Sequence, residues 1–252
     1  MDPATFDQHV AWFRDYEAEA ALIHDIIRRN ASETRTIIEL GCGTANLMLA
    51  LCRMGYDLVG VDKSKDMLGR AAQKLECAGY SARLVHGDVA DGISSPSEYD
   101  LTVGTFSLVF NFFPEAGLGR FFQTAAALTR SNGLLVLNGF SLETTQRTHP
   151  DGTVVMRGIN PLNVNIQPTY DRVDYRGSCV QITVFHAADW MTEPLTTEYT
   201  LRTYTVPELE ATANRYCFEL VDVRGYPQPG AYRPGVSDEY FAVFAKKPAP
   251  GR

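Results

Sequence analysis

From residue 10 to residue 29, Phe13, Tyr16, Ala20, Ile23 and Ile27 recur three and four positions apart, the spacing that gathers apolar side chains on one face of a helix. One amphipathic helix is therefore expected to cap the domain ahead of its first strand. Residues 36–40 are a short apolar run that stops at Gly41-Cys42-Gly43-Thr44, after which Leu47, Met48, Leu51 and Met54 resume at helical spacing. That reads as strand, glycine turn, helix. The alternation continues with strand 57–61, helix 65–78, strand 81–86, strand 99–105, helix 117–129 and, behind the turn Ser131-Asn132-Gly133, strand 133–140. Strands alternating with helices predict an α/β fold, a doubly wound and mostly parallel sheet with helices on both faces.

Between residues 149 and 204 the helical period disappears and β-rich runs take over, at 153–157, 169–175, 179–186 and 196–204. Glycine or proline stands in the turns Tyr175-Arg176-Gly177-Ser178 and Met191-Thr192-Glu193-Pro194, so an inserted antiparallel sheet is expected. A helix at 206–215 and strands at 218–223 and 239–245 complete the chain, and the Gly/Pro-rich loop between those strands lets the last one return antiparallel. The organisation implied is one domain over 1–252, with a helical cap at 1–33 and an insertion at 149–204 that serves as a lid or as a homodimer contact.

A net charge of −7 argues against nucleic acid or an anionic membrane surface as the main partner and leaves small molecules open. Five cysteines without a C-x-x-C pair fit a reducing compartment, and no apolar stretch approaches the roughly 18 residues of a membrane span, so a cytoplasmic protein is expected.

The glycine turn carries the chemistry. Gly41 and Gly43 let a ligand approach the backbone, and Asp62, 21 positions after Gly41 at the end of the second strand, stands where a carboxylate accepts ribose hydroxyls. Asp62 also has a plainer use as a cap for the helix that follows Lys63-Ser64-Lys65. Charge separates the candidate ligands. A dinucleotide would set its anionic pyrophosphate beside Glu39, whereas S-adenosylmethionine presents an ammonium and a sulfonium that suit an acidic neighbour. The third glycine of the dinucleotide pattern would fall at Asn46, and no glycine stands there.

Taken in order, Glu39-Leu40-Gly41-Cys42-Gly43-Thr44, Asp62, Gly87-Asp88 and Gly133 resemble the class I S-adenosylmethionine-dependent methyltransferases, which implies a Rossmann-like seven-stranded sheet with an antiparallel last strand. Asp15-Tyr16, Thr105-Phe106-Ser107-Leu108, the β-rich insertion and Arg202-Thr203-Tyr204-Thr205 are similar to natural-product and aminosugar methyltransferases within that class. The resemblance implies that Glu39 meets the methionine amino end, Asp62 the ribose, Met67 the adenine ring and Asp88, with Val89 beside it, the adenine amino group. Tyr16 would close over the methionine carboxylate. Cys42, Asn46, Lys63, Gly87, Thr105 and Phe106 complete the expected cofactor set. Ala45 departs from the glycine usual in that family's turn. Met67, Tyr16 and Asp88 each also have a structural use, as core, helix stripe and turn.

At the acceptor, a sulfonium methyl needs mainly an aligned nucleophile. Asn111, beyond the fourth strand, is expected to position the acceptor; His186, at the end of an insertion strand, and His149, near the insertion's start, are the candidate bases or acceptor ligands, with Tyr170, Asp189 and Glu193 weaker candidates. Trp12, Phe106, Phe110, Phe112, Phe113 and Tyr170 could build an apolar acceptor pocket. No residue spacing suggests a metal. The expected function is methyl transfer to a nitrogen or oxygen of a small-molecule acceptor of secondary metabolism. An NAD(P)-dependent oxidoreductase and a non-methylating S-adenosylmethionine-binding protein are the alternatives.

Overall fold

The structure is a computed structural model that describes the chain apart from residues 1, 96, 112–114, 149, 151–152, 156–169, 177–178, 187–194, 228–229 and 249–252. The N-terminal helix expected over 10–29 is two helices, α1 (Pro3–Phe13) and α2 (Tyr16–Asn30). Arg14 and Asp15 between them are extended, and the Asp15 side chain accepts the Ala18 N–H at 2.9 Å, capping α2 afresh. Apolar spacing runs through this break because both helices face the protein, which is why periodicity alone joined them.

The main sheet contains β1 (Thr36–Leu40), β2 (Asp57–Asp62), β3 (Arg83–His86), β4 (Tyr99–Gly104) and β5 (Thr129–Phe140), together with β10 (Phe218–Tyr226) and β11 (Glu239–Lys246). Their order is β10-β11-β5-β4-β1-β2-β3. Pairing is parallel from β3 to β5, and β11 is antiparallel to both β5 and β10, as the sequence pattern predicts. β5 starts earlier than expected: the predicted turn is an irregularity inside the strand, with Asn132 at φ 61° and pairing that slips from Tyr99↔Thr129 to Leu101↔Leu134. Gly133 is required there because a Cβ would stand 2.9 Å from the Arg130 and Asp100 carbonyl oxygens.

Alternate strand residues feed two cores, as the period of two dictates. Ile37, Leu101, Val103, Val136 and Phe241 pack under α2, α3 (Asn46–Arg53) and α4 (Lys65–Cys77). Ile38, Leu40, Leu135, Leu137 and Phe244 pack under α5 (Glu115–Leu128) and α7 (Val206–Ala213). A helix that the pattern did not announce, α6 (Leu142–Thr148), follows β5; Thr144 anchors it, its N–H donating to the Ser141 hydroxyl oxygen at 3.3 Å and its hydroxyl to the Ser237 carbonyl at 2.7 Å.

The insertion is a four-stranded antiparallel sheet in the order β6 (Thr153–Val155), β7 (Tyr170–Arg176), β8 (Cys179–His186), β9 (Leu195–Arg202). Its root is buried in the domain. Val180 and Leu201 join the α5/α7 core, and Tyr240 of β11 donates to the Tyr204 carbonyl at 2.6 Å just past β9.

Candidate functional site

Strand order reverses between β1 and β4, and in such sheets ligands lie beyond the carboxyl ends of the strands at that point. The chain turns sharply there. Gly41 (φ 70°) and Gly43 (φ 52°) take left-handed conformations, and a Cβ on Gly41 would stand 2.8 Å from the Leu108 side chain. Ala45, also left-handed at φ 63° and fully buried, is the residue before α3, which explains why related turns favour glycine at that place.

Asp62 ends β2 half-buried, its carboxylate accepting the Gly43 N–H and the Ser64 N–H, each at 2.8 Å. The cap of α4 is Ser64, which accepts the Met67 N–H at 3.3 Å, so the capping alternative for Asp62 is set aside. Asp88, after β3, caps the short 3-10 helix Val89–Asp91 by accepting the Ala90 N–H at 2.9 Å. The Gly87 N–H donates to the Asp62 carbonyl at 3.1 Å, which binds the ends of β2 and β3 together. Met67 is half-buried, Val89 and Cys42 are buried and Lys63 is exposed. Burial, then Glu39 and Asp62, raise the Cys42 thiol, so it is no nucleophile.

Glu39, on β1, is 4% exposed, and its Oε2 has no hydrogen-bond partner among the described residues. The Met48 backbone N–H supports the carboxyl. Burial first, then the charges of Glu19 and Asp62, push this carboxyl well above the usual range. A buried carboxyl oxygen with nothing to bind is costly, and it is the kind of group a bound cation satisfies.

On the other flank, Thr105 is buried, and Phe106 and Ser107 follow β4 at φ 54° and 53°. Two consecutive non-glycine residues in this region store strain that the surroundings must hold. They are held by the Ser107 N–H, which donates to Asn138 Oδ1 at 3.3 Å, and by the Arg14 guanidinium, 4.8 Å from the Phe106 ring centre. Arg14 is almost fully buried: Nε donates to Glu19 Oε2 at 3.1 Å, Nη2 to Glu19 Oε1 and to Asn138, and Nη1 reaches Glu239 at 3.5 Å. Burial and the other carboxylates push the Glu19 carboxyl up to about 7 despite Arg14. The Tyr16 ring lies on the same guanidinium, at 5.9 Å, and burial drives its phenol far above the usual range.

A second lock joins α1 to the turn. Asp7 accepts from Thr44 Oγ1 at 2.5 Å, Lys74 Nζ at 2.9 Å, Arg70 Nε at 3.0 Å and Asn46 Nδ2 at 3.3 Å. One residue earlier, Phe6 faces Gly43 and meets Phe106 edge-on, with 6.4 Å between ring centres. The glycine turn, Asp62, Asp88 and Phe106 thus lie at one edge of the sheet, with α1 packed on the glycine turn and Phe106.

The acceptor candidates are more dispersed. Asn111 is exposed and donates to the Leu108 carbonyl at 3.2 Å. His186 ends β8 six residues beyond Val180, about 20 Å along the strand from the buried root, and its side chain lies outside the described residues. His149, Phe112, Phe113, Asp189 and Glu193 also lie outside them, as do the side chains of Trp12 and Tyr170. Phe110 is fully buried against Phe140 and Tyr204, so it is core and not pocket wall. Sequence reasoning missed Phe6, Asp7, Arg14, Glu19, Asn138 and Glu239. Asn138 alone carried a local signal, as a polar residue closing the run Leu134-Leu135-Val136-Leu137.

Residues 37–133 match the family model described as a methyltransferase domain. A carboxy-S-adenosyl-L-methionine synthase from Nitratiruptor is 26% identical over 117 residues, covering 42% of this chain and 48% of that protein. A dTDP-3-amino-3,4,6-trideoxy-alpha-D-glucopyranose N,N-dimethyltransferase from Streptomyces venezuelae is 27% identical over 124 residues, 49% of this chain and 50% of that one. The chain thus spans about half the length of the curated relatives it matches. Likeness of fold extends further. A S-adenosylmethionine-dependent methyltransferase from Clostridium acetobutylicum superposes with a TM-score of 0.77 at 16% identity over 93% of both chains. An S-adenosylmethionine-bound amino pentose methyltransferase of calicheamicin biosynthesis from Micromonospora echinaspora does so with 0.74 at 17% identity, over 93% of this chain and 92% of that one.

Proposed function

We infer that this chain, with its class I methyltransferase fold and the methyltransferase-domain match over residues 37–133, is an S-adenosylmethionine-dependent enzyme that methylates an amino group on a small molecule. The observation that carries the reading is Glu39, a buried carboxyl with an unpartnered oxygen directly before the glycine turn. A cationic amino-acid end satisfies that oxygen and favours its ionised form, whereas a pyrophosphate brings it no donor and would be repelled by Asp62. The residues therefore fit the cofactor. When bound, S-adenosylmethionine supplies a methyl group on a positively charged sulfur.

The chain's own residues would then divide the work. Asp62 accepts the ribose hydroxyls with lone pairs left over from Gly43 and Ser64. Asp88, Val89 and Met67 bound the adenine, with Lys63 and Gly87 framing that end, and the turn from Gly41 through Cys42 and Gly43 to Asn46 receives the methionine end with Tyr16 above it. Phe6, Thr105 and Phe106 exclude water where the methyl is transferred. Arg14 fixes Phe106 and Tyr16 by holding both rings on one guanidinium. Asn111 and His186 remain candidates for the acceptor side.

The relative named as an aminosugar N,N-dimethyltransferase and the neighbour named as an amino pentose methyltransferase of calicheamicin biosynthesis support an amine acceptor in secondary metabolism. No helix among the described residues is long and apolar enough to cross a membrane. The test is release of S-adenosylhomocysteine from S-adenosylmethionine across a panel of amino sugars and their hydroxy counterparts. Turnover confined to the amino members supports the reading, and turnover of the hydroxy members alone contradicts it.

A further inference from the structure

We propose that Glu239 is the acceptor-side carboxylate, the group that receives the amine being methylated. The proposal rests on the methyltransferase reading above and assigns it a residue.

The topology places Glu239 at the right edge. β11 runs against its neighbours, so its first residue pairs with Phe140, the last of β5, at the sheet edge that carries Phe106 and Asp62. The carboxylate is fixed but not sealed. Oε2 accepts the Asn138 amide at 2.7 Å, Oε1 faces Arg14 at 3.5 Å, and the side chain keeps 24% of its exposure. Asn138 is fully buried and its other amide atom holds Ser107 and Arg14, so one residue ties the carboxylate to the strained turn beside the site. Among these groups Arg14 is the one cation facing two carboxylates, Glu19 and Glu239. Glu19 takes two of its hydrogen bonds and is inaccessible, so Glu239 is the carboxylate of the two that keeps a solvent-facing side. Tyr226, paired with Glu239 across β10, adds no charge because burial, then Glu19, push its phenol far up.

This arrangement selects nitrogen over oxygen. As the acceptor lone pair forms the new N–C bond, the S–C electron pair stays on sulfur and the positive charge passes to nitrogen, whose surplus proton leaves to solvent. A carboxylate held against the nitrogen stabilises the charge that develops there. A hydroxyl acceptor would need its proton removed, and any carboxylate is a weak base for a proton held as tightly as an alcohol's. Glu239 therefore serves an amine as an electrostatic partner.

The test avoids dependence on the true acceptor. Two S-adenosylhomocysteine analogues replace sulfur by nitrogen and carry either a 2-aminoethyl or a 2-hydroxyethyl arm, the first placing an ammonium where the methylated amine would stand. Calorimetry on the full chain is expected to show the aminoethyl analogue binding at least tenfold more tightly than its hydroxyethyl partner. Glu239→Gln should bring the two within about threefold while S-adenosylhomocysteine binds as in the wild type, and Glu239→Asp should keep part of the preference. A preference that survives Glu239→Gln, or none in the wild type, overturns the assignment. Loss of S-adenosylhomocysteine binding in Glu239→Gln makes the residue structural and overturns it as well. Failure of S-adenosylhomocysteine to bind the wild type overturns the cofactor reading instead.

Discussion

The Asp62 carboxylate accepts the Gly43 backbone N–H at 2.8 Å, so the end of β2 braces the glycine turn that follows β1. In the proposed site the same side chain would also accept the ribose hydroxyls. Asp62→Ala should therefore weaken S-adenosylhomocysteine binding by about 1–3 kcal/mol, the worth of hydrogen bonds to a charged acceptor. Titration calorimetry of the variant checks this, and an unchanged affinity removes Asp62 from the site.

Glu39 links binding to pH. In the free protein burial, then Glu19 and Asp62, hold this carboxyl protonated well above the usual carboxylate range, while an ammonium beside Oε2 favours the ionised form. Binding then expels a proton. Affinity should fall as pH drops below the raised value, by up to about tenfold per pH unit, and Glu39→Gln should bind weakly with little pH dependence. Titrations in buffers of different ionisation enthalpy read the released proton directly. Because the folded-state value lies above the unfolded one, this carboxyl also costs the free protein stability as pH rises from the usual carboxylate range through the raised value. Glu39→Gln should therefore melt higher than the wild type at alkaline pH, with the gap narrowing toward acid.

Asp7 is the pin of α1. Burial raises its carboxyl, but Thr44, Lys74 and Arg70 more than offset this and hold it below its usual value, so the pin is set above the usual carboxylate range and released as pH falls through the lowered one. Asp7→Ala should weaken α1 docking by about 1–3 kcal/mol. Hydrogen exchange across residues 3–13 should accelerate, with faster dissociation of S-adenosylhomocysteine, while exchange in α5 stays as it was.

Gly60, inside β2, sets how closely α3 approaches the sheet. A Cβ there would stand 2.5 Å from Met48 Sδ and 2.8 Å from Cys42 Sγ. Gly60→Ala should destabilise by about 1–3 kcal/mol through overpacking, seen as a lower urea midpoint with an unchanged slope.

The alternation of period two with period 3.6 made the sheet legible, because the residues it selected, such as Ile37 and Ile38, feed cores on opposite faces. The closeness of the residues proposed for the cofactor was legible for a related reason. Gly41, Glu39 and Asp62 lie within one strand–turn–helix–strand unit, where spacing along the chain fixes spacing in the fold. Arg14, Glu19 and Glu239 were not. Their meeting depends on a helix break at Asp15 and on a strand pairing between β5 and β11 about a hundred residues apart, and neither leaves a local pattern. Helix α6 escaped notice because Leu-Glu-Thr-Thr-Gln-Arg-Thr has no apolar stripe; hydroxyl bonds to Ser141 and Ser237 hold it instead.

The site beside Glu39 is proposed to take an adenosyl ligand with a cationic amino end. Calorimetric titration of the purified chain with S-adenosylmethionine, S-adenosylhomocysteine and NADH tests it most directly. One equivalent of either adenosyl ligand should bind, with no saturable uptake of NADH. Binding of NADH with none of the adenosyl ligands would contradict it.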